Sequence, residues 1–327
     1  MGNDAFQFLS ITTSKDFEIA ALATFSRQYE ENSIYRSYCD LLNSSPAEIK
    51  TSKDIPALPI QFFKSHEVKC FKAAPKITFS SSGTTGTINA RHLILQKEIY
   101  EQSFQKGFEN QYGSPKDWAI LALLPSYLER QGSSLVYMMN ALIQQSNHPA
   151  SGFYLDEYNA LRKQLKQLES QQQPTLLLGV SFALLDFAEQ SPLALEHTIV
   201  METGGMKGRR KEMIREELHT TLNNAFGTKE IHSEYGMTEL LSQAYSKGNG
   251  RFQTPPWMKV AAYEINDPFS LTKGTKIGRL NIIDLANQES CAFIATDDLG
   301  RVFPDGTFEV LGRLDLSDIR GCNLLVY

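Results

Sequence analysis

The sequence predicts an α/β protein in which a parallel sheet covered by helices is followed by a smaller, largely antiparallel β unit. Three observations carry this. Short apolar runs alternate with helical patterns through the middle of the chain. Two of those runs stop at glycine, as strands that feed a turn do. After about Gly250 four strand patterns follow one another with no helical pattern between them.

The first part reads as helix, because Phe17, Ala20, Ala21 and Phe25 recur at helical spacing with polar residues between. Ser44-Ser45-Pro46 breaks it. Two prolines in Ile55-Pro56-Ala57-Leu58-Pro59 forbid a regular helix and favour an extended segment. Trp118 to Leu124 is a nearly continuous apolar run, the pattern of a strand buried on both faces. Glu157 to Gln172 is a polar helix whose Gln171-Gln172-Gln173 run marks its end. Thr175 to Leu178 is a strand stopped by Gly179, Phe182 to Ala188 a helix, and Thr198 to Met201 a strand running into Gly204-Gly205. Ile214, Leu218, Leu222 and Phe226 mark a helix at four-residue spacing. This βαβα rhythm argues for parallel pairing with helices on the faces. Val260 to Ile265, Ile277 to Leu285, Cys291 to Ala295 and Thr307 to Leu311 are the later strands, separated by Gly, Pro, Asn and Asp. Residues 1–250 are thus read as the α/β core and 251–327 as the β-rich unit, with Pro255-Pro256 as a connector or an internal loop.

At 327 residues with 42% hydrophobic content, the chain can bury a substantial core. A formal net charge of −5, without a basic stretch, excludes an electrostatic nucleic-acid or polybasic membrane site. The start, MGNDAFQFLS, lacks the positive and apolar regions of a secretory signal. It begins Met-Gly, but Phe6 stands where a lipidation pattern wants Ser or Thr. No window approaches the roughly 20 apolar residues of a membrane span. Cys39, Cys70, Cys291 and Cys322 are far apart, so reduced thiols in the cytoplasm are expected.

Four segments carry chemistry. Thr78-Phe79-Ser80-Ser81-Ser82-Gly83-Thr84-Thr85-Gly86-Thr87 sets two glycines and a cluster of hydroxyls after a β-prone run. Exposed backbone N–H groups and hydroxyls suit a phosphate, although an ordinary surface loop has the same composition. No Gly-Lys-Ser/Thr follows, so it is not a Walker A loop. Glu234-Tyr235-Gly236-Met237-Thr238-Glu239 offers an aromatic face, a close-approach glycine and oxygens of the kind Mg²⁺ accepts; a strand-end turn would look alike. Thr296-Asp297-Asp298-Leu299-Gly300 reads as a turn with two carboxylates, one of which could accept both hydroxyls of a ribose. Gly312-Arg313-Leu314-Asp315 and Arg320-Gly321-Cys322-Asn323 bring arginines suited to phosphate or ribose, or to a surface salt bridge.

In this order the four segments resemble the adenylate-forming superfamily of acyl-CoA synthetases, luciferases and peptide-synthetase adenylation domains, from about Ile55 onward. The resemblance implies the large-domain fold of that superfamily: parallel sheet layers and a small antiparallel β subdomain. It implies ATP and Mg²⁺ as cofactors. Ser81, Ser82, Gly83, Thr84, Thr85 and Gly86 would hold the ATP phosphates. Gly204, Gly205 and Gly236 would border the nucleotide, and Tyr235 would stack on the adenine. Thr238 would contact phosphate and Glu239 would bind Mg²⁺. Asp298, with Asp297 as a near competitor, would bind the ribose, and Arg313 would lie near ribose and phosphate.

The departures narrow the resemblance. The usual lysine after the phosphate loop is absent; Thr87-Ile88-Asn89-Ala90-Arg91 stands there, with Arg91 as a candidate replacement. The mobile C-terminal domain of most members is missing after Gly312-Arg313. Both features are similar to the LuxE-type acyl-protein synthetases, in which a cysteine near the C-terminus receives the acyl group, a place matched by Cys322. That family implies a fatty or other carboxylic acid substrate and an acyl-CoA reductase or other acceptor protein as partner. Cys322 lies nine residues after Arg313, a span of at most about 30 Å, so its thiol is tethered within reach of an adenylate. Two other readings predict different outcomes: an acyl- or aryl-CoA ligase resembling phenylacetate-CoA ligases, and a non-catalytic nucleotide- or acyl-binding partner subunit. Leu124-Pro125-Ser126-Tyr127 resembles the segment beside the acyl pocket and identifies no substrate.

Overall fold

The structure is a computed structural model that describes residues 7–81, 88–125, 132–206, 209–211 and 213–314. Helix α1 (Ser14–Glu31) starts from a capping box in which Thr13 and Asp16 satisfy each other's backbone N–H groups. It buries Phe17, Ala21, Phe25 and Gln28 along one face. Helix α2 (Ser33–Leu41) is capped by Asn32, whose side chain accepts from the Tyr35 amide. The pair docks on a distant loop. Gln28 donates to the carbonyls of Asn287 and Gln288, and Asn32 donates to that of Ser290.

The proline-rich segment becomes strand β1 (Leu58–Pro59), followed by the short helix α3 (Phe62–Ser65). Strands β2 (Ile77–Ser80) and β3 (Arg91–Ile94) form an antiparallel hairpin around the Ser/Gly loop. Helix α4 (Lys97–Tyr112) ends at Gly113, whose φ of +78° only glycine adopts easily. Next come β4 (Ala119–Leu123), α5 (Ser134–Ser146), β5 (Gly152–Tyr154), α6 (Tyr158–Ser170), β6 (Thr175–Val180), α7 (Ser181–Gln190), β7 (Thr198–Thr203), α8 (Arg215–Phe226), β8 (His232–Tyr235) and β9 (Ala244–Ser246). The six strands β4 to β9 make one sheet in the order β5-β4-β6-β7-β8-β9. All pairs are parallel except β8 with β9. Every residue of β4 and of β6 is buried, which explains their unbroken apolar runs.

Strands β10 (Met258–Tyr263), β11 (Gly278–Asp284), β12 (Phe293–Val302) and β13 (Phe308–Arg313) form an antiparallel meander. Strand β1 joins this sheet parallel to β12, pairing Leu58 with Ile294 and Pro59 with Ala295. The β-rich unit therefore draws one strand from residues far outside 251–327. A single apolar core runs from the N-terminal helices through both sheets.

Two expectations need correction. The Thr296 to Gly300 segment is no turn; it lies inside the ten-residue strand β12. Two adjacent aspartates are tolerated there because successive strand residues face opposite sides and each finds its own partners. Ile214 is not part of the buried stripe of α8. It precedes the helix as its N-cap and is exposed, while Leu218, Leu222 and Phe226 are buried.

Candidate active site

A cleft of about 2060 Å³ opens where the carboxyl ends of β6, β7 and β8 face β12 and β13. This is the usual place for a ligand in an open parallel sheet, since chain reversals there expose backbone groups without disturbing the core. Of the residues singled out from the sequence, Ser81, Gly204, Gly205, Tyr235, Gly236, Thr238, Glu239, Asp298 and Arg313 all line this cleft. Residues as far apart in the chain as Ser81 and Arg313 are thereby brought to one wall. Ser82, Gly83, Thr84, Thr85, Gly86 and Cys322 lie outside the described residues, as do Ser126 and Tyr127.

The firmest part of the wall is a chain of three side chains. The Tyr235 hydroxyl donates to Asp298 Oδ2 at 2.7 Å, and Arg313 Nε meets Asp298 Oδ1 at 3.2 Å. Asp298 and Arg313 are directly opposed across β12 and β13, so the ladder itself sets this ion pair. Burial lifts the Asp298 carboxyl above the usual carboxylate range, opposed by the Tyr235 hydroxyl and the Arg313 charge. The Tyr235 ring is held edge-on to Phe308 at 5.4 Å and tilted to Phe252 at 5.8 Å. Asp297 has another task. It faces away, accepting from Gln61 Nε2 at 2.7 Å and pairing with Arg279 at 3.1 Å. It is also absent from the cleft wall, which leaves Asp298 as the aspartate that faces the ligand space.

Glu239 is 6% exposed and sits in the cleft without an ion-pair partner within 4 Å among the described residues. Burial pushes its carboxyl up to about 7, against the charges of Arg313 and Lys64. A buried carboxyl turned to open space, with no cation of its own, fits a Mg²⁺ that arrives with phosphates. Among the described residues no group of three or more metal-binding side chains exists that could hold an ion alone. The backbone around it is fixed from behind. His92 Nδ1 donates to the Thr238 carbonyl at 2.8 Å, and Asn287 Nδ2 donates to the Glu239 carbonyl at 2.8 Å. Full burial holds His92 well below its usual value, at about 4, so it stays neutral and acts as a strut.

At the other side Ser81 closes the hairpin, its Oγ accepting from the Ala90 amide at 2.9 Å. Among the described residues no group accepts that hydroxyl's own proton. Gly204 takes φ +69° at the end of β7, and its carbonyl accepts from Ser181 Oγ at 3.1 Å. Next to it, Thr203 donates to Glu234, a buried glutamate of the cleft wall whose carboxyl burial pushes up to about 7. Glu202 stands beside Arg215 at 3.5 Å and His219 at 3.7 Å.

Sequence reasoning missed His92, Lys64 and Glu234 as parts of this site. A histidine amid the apolar residues of β3 was the one available signal for the first. Glu234 had been noted only as the opening residue of its motif. Arg91 sits exposed on β3 and is absent from the cleft wall, whereas Lys64 lines it.

The chain is similar to known proteins in sequence and in fold. Residues 2–327 match the family described as acyl-protein synthetase, LuxE. A long-chain-fatty-acid–luciferin-component ligase of Aliivibrio fischeri is 22% identical over 330 residues, covering 92% of this chain and 85% of the relative. Among solved structures, an open conformation of 2-hydroxyisobutyryl-CoA ligase in complex with 2-HIB-AMP and CoA has a TM-score of 0.69 at 10% identity. That match covers 92% of this chain and 70% of the other. ATP-bound MatB from Rhodopseudomonas palustris has a TM-score of 0.54 at 16% identity, covering 74% of this chain. The chain spans about half of MatB, 49% of its length. At these identities the structural likeness establishes the fold, that of the adenylate-forming ligases.

Proposed function

We propose, for a chain that belongs to the LuxE acyl-protein synthetase family, that it uses ATP to activate a carboxylic acid and then passes the acyl group to a thiol. The observation that carries this reading is the Tyr235–Asp298–Arg313 chain standing in one cleft with Glu239, which has no ion pair among the described residues. Asp298 accepts the ribose hydroxyls, Tyr235 holds Asp298 in place while offering its ring to the adenine, and Arg313 balances charge at the ribose and phosphate. Gly204, Gly205 and Gly236 leave room for the nucleotide. The loop from Ser81 to Gly86 donates to the phosphates, helped by Thr238. Mg²⁺ held by Glu239 and the phosphates supplies charge neutralisation.

In the first step a carboxylate oxygen attacks the α-phosphorus, and the bond to pyrophosphate breaks, giving acyl-adenylate and pyrophosphate. In the second a thiolate attacks the acyl carbon and AMP leaves, giving a thioester. Cys322 is the proposed thiol, because its tether to Arg313 raises its effective concentration. A fatty acid is the proposed substrate, by likeness to the Aliivibrio fischeri ligase. An acyl-CoA reductase or another acceptor protein would take the acyl group onward. The cytoplasm is the proposed location; no helix among the described residues is long and apolar enough to cross a membrane.

The experiment is intact-mass analysis after incubation with ATP, Mg²⁺ and a panel of fatty and aryl acids, with Cys322→Ser alongside. The expected result is a hydroxylamine-sensitive acyl adduct on the wild type and none on the variant. CoA-dependent turnover that survives Cys322→Ser would move the thiol role to CoA.

A further inference from the structure

A triphosphate brings up to four negative charges into the cleft, yet the loop beside it carries hydroxyls and no lysine. A cation must come from elsewhere in the wall. Arg215, Arg301 and Arg313 all line the cleft, but each already faces a carboxylate: Glu202 at 3.5 Å, Glu309 at 3.2 Å and Asp298 at 3.2 Å. Lys229 also borders the cleft, but its charge is not among those that act on Glu239.

Lys64 differs. It is exposed, lines the cleft, and has no ion pair within 4 Å among the described residues. The fold delivers it there by a short, well-anchored path. Leu58 and Pro59 pair with Ile294 and Ala295, the Ile60 amide donates to the Ala295 carbonyl at 3.0 Å, and Gln61 bonds Asp297. Residues 58–61 therefore run beside β12 up to the neighbour of Asp298. Phe63, fully buried and edge-on to His92 at 5.7 Å, then pins α3 against the strut that holds Thr238. With Phe63 turned inward, Lys64 is left facing the open cleft, where its charge acts on Glu239.

We propose that Lys64 is the phosphate-binding cation of this site, placing its ammonium group on the triphosphate beside the Glu239-held metal in place of the missing loop lysine. This rests on the ATP-dependent reading above. As the α-phosphorus is attacked and pyrophosphate departs, Lys64 neutralises charge growing on the leaving group. It is supplied by the N-terminal third of the chain, through β1, and not by the phosphate loop.

The test is calorimetric binding of the non-hydrolysable analogue α,β-methylene-ATP with Mg²⁺, and of AMP, to wild type, Lys64→Ala, Lys64→Arg and Arg91→Ala. Lys64→Ala is expected to weaken the triphosphate analogue at least about tenfold, as loss of one charge-assisted contact does, while AMP affinity stays unchanged. Lys64→Arg restores most of the loss, and Arg91→Ala binds both nucleotides as wild type does. Equal binding of the analogue by wild type and Lys64→Ala overturns the assignment of Lys64 alone. No binding of either nucleotide by wild type overturns the ATP-dependent reading as well. An equal loss for AMP and the analogue also overturns the proposal, since it places Lys64 away from the outer phosphates.

Discussion

The two sheets contribute to the cleft in opposite ways. In the parallel sheet the ligand-facing groups stand at strand ends: Ser181 after β6, Gly204 after β7, Tyr235 and Gly236 at the end of β8. Strands β4 and β6 stay buried throughout, while β7 and β8 carry Glu202, Thr203 and Glu234 only near their cleft ends. In the β-rich sheet the ligand-facing group stands inside a strand, with Asp298 in the middle of β12 and its partner Arg313 across the ladder. Strand ends tolerate polar chemistry because the backbone is already leaving the sheet. A carboxylate within a strand needs a partner on the same face, and the register supplies one.

The difference is sharpest between the two neighbours Asp297 and Asp298. Replacing Asp298 with Asn removes the negative charge and one of the two oxygens that hold Tyr235 and Arg313. ATP–pyrophosphate exchange should fall by about 100-fold or more, with Tyr235→Phe losing roughly tenfold. Equal activity in Asp298→Asn and wild type would break the distinction between the two faces of β12.

Glu239→Gln comes next, with a loss of about tenfold or more in exchange at moderate Mg²⁺. Its pH dependence carries the sign. Burial pushes the carboxyl up to about 7, so below that pH a proton competes with the metal. The Mg²⁺ concentration for half-maximal exchange should rise about tenfold per pH unit below 7 and level off above it. A profile flat from pH 5 to 8 in the wild type contradicts this.

Asp297→Asn tests the outward face. It weakens the links to Gln61 and Arg279, so denaturant titration should record a loss of about 2 kcal/mol. Exchange activity should stay within about threefold of wild type.

The smallest effect on exchange belongs to Glu234, whose titration acts on stability. Its folded-state value is raised from 4.5 to about 7, so the folded protein keeps a proton that the unfolded chain releases. Stability therefore falls as pH rises from 4.5 to 7 and is lowest above that window. Glu234→Gln, which carries no charge, should gain on the order of 3 kcal/mol over wild type at pH 8, with the gain vanishing near pH 4.5. A gain independent of pH would remove the titration as its cause.

The same contrast explains what the sequence revealed. The end of β7 announces itself by glycine after an apolar run, at Gly204, and that part of the site was legible, whereas β6 runs one residue past Gly179. The β12 aspartates read as a turn from sequence because a strand with adjacent carboxylates makes sense only once Gln61, Arg279, Tyr235 and Arg313 are around it. Long-range pairing leaves no local trace. Gln61 and Asp297 are 236 residues apart, so neither the pairing of β1 with β12 nor the delivery of Lys64 could be inferred. Helices α4 and α5 went unread for different reasons: Gly107 interrupts the first, and Ser134-Leu135-Val136-Tyr137-Met138-Met139 is apolar on nearly all sides.

The central claim is that this cleft forms an acyl-adenylate. ATP–pyrophosphate exchange with Mg²⁺ and a series of fatty acids of increasing chain length tests it most directly. The account predicts exchange that requires both Mg²⁺ and an acid and is abolished in Asp298→Asn. Wild-type protein that exchanges no pyrophosphate with any acid offered, or that exchanges it without an acid, would contradict it.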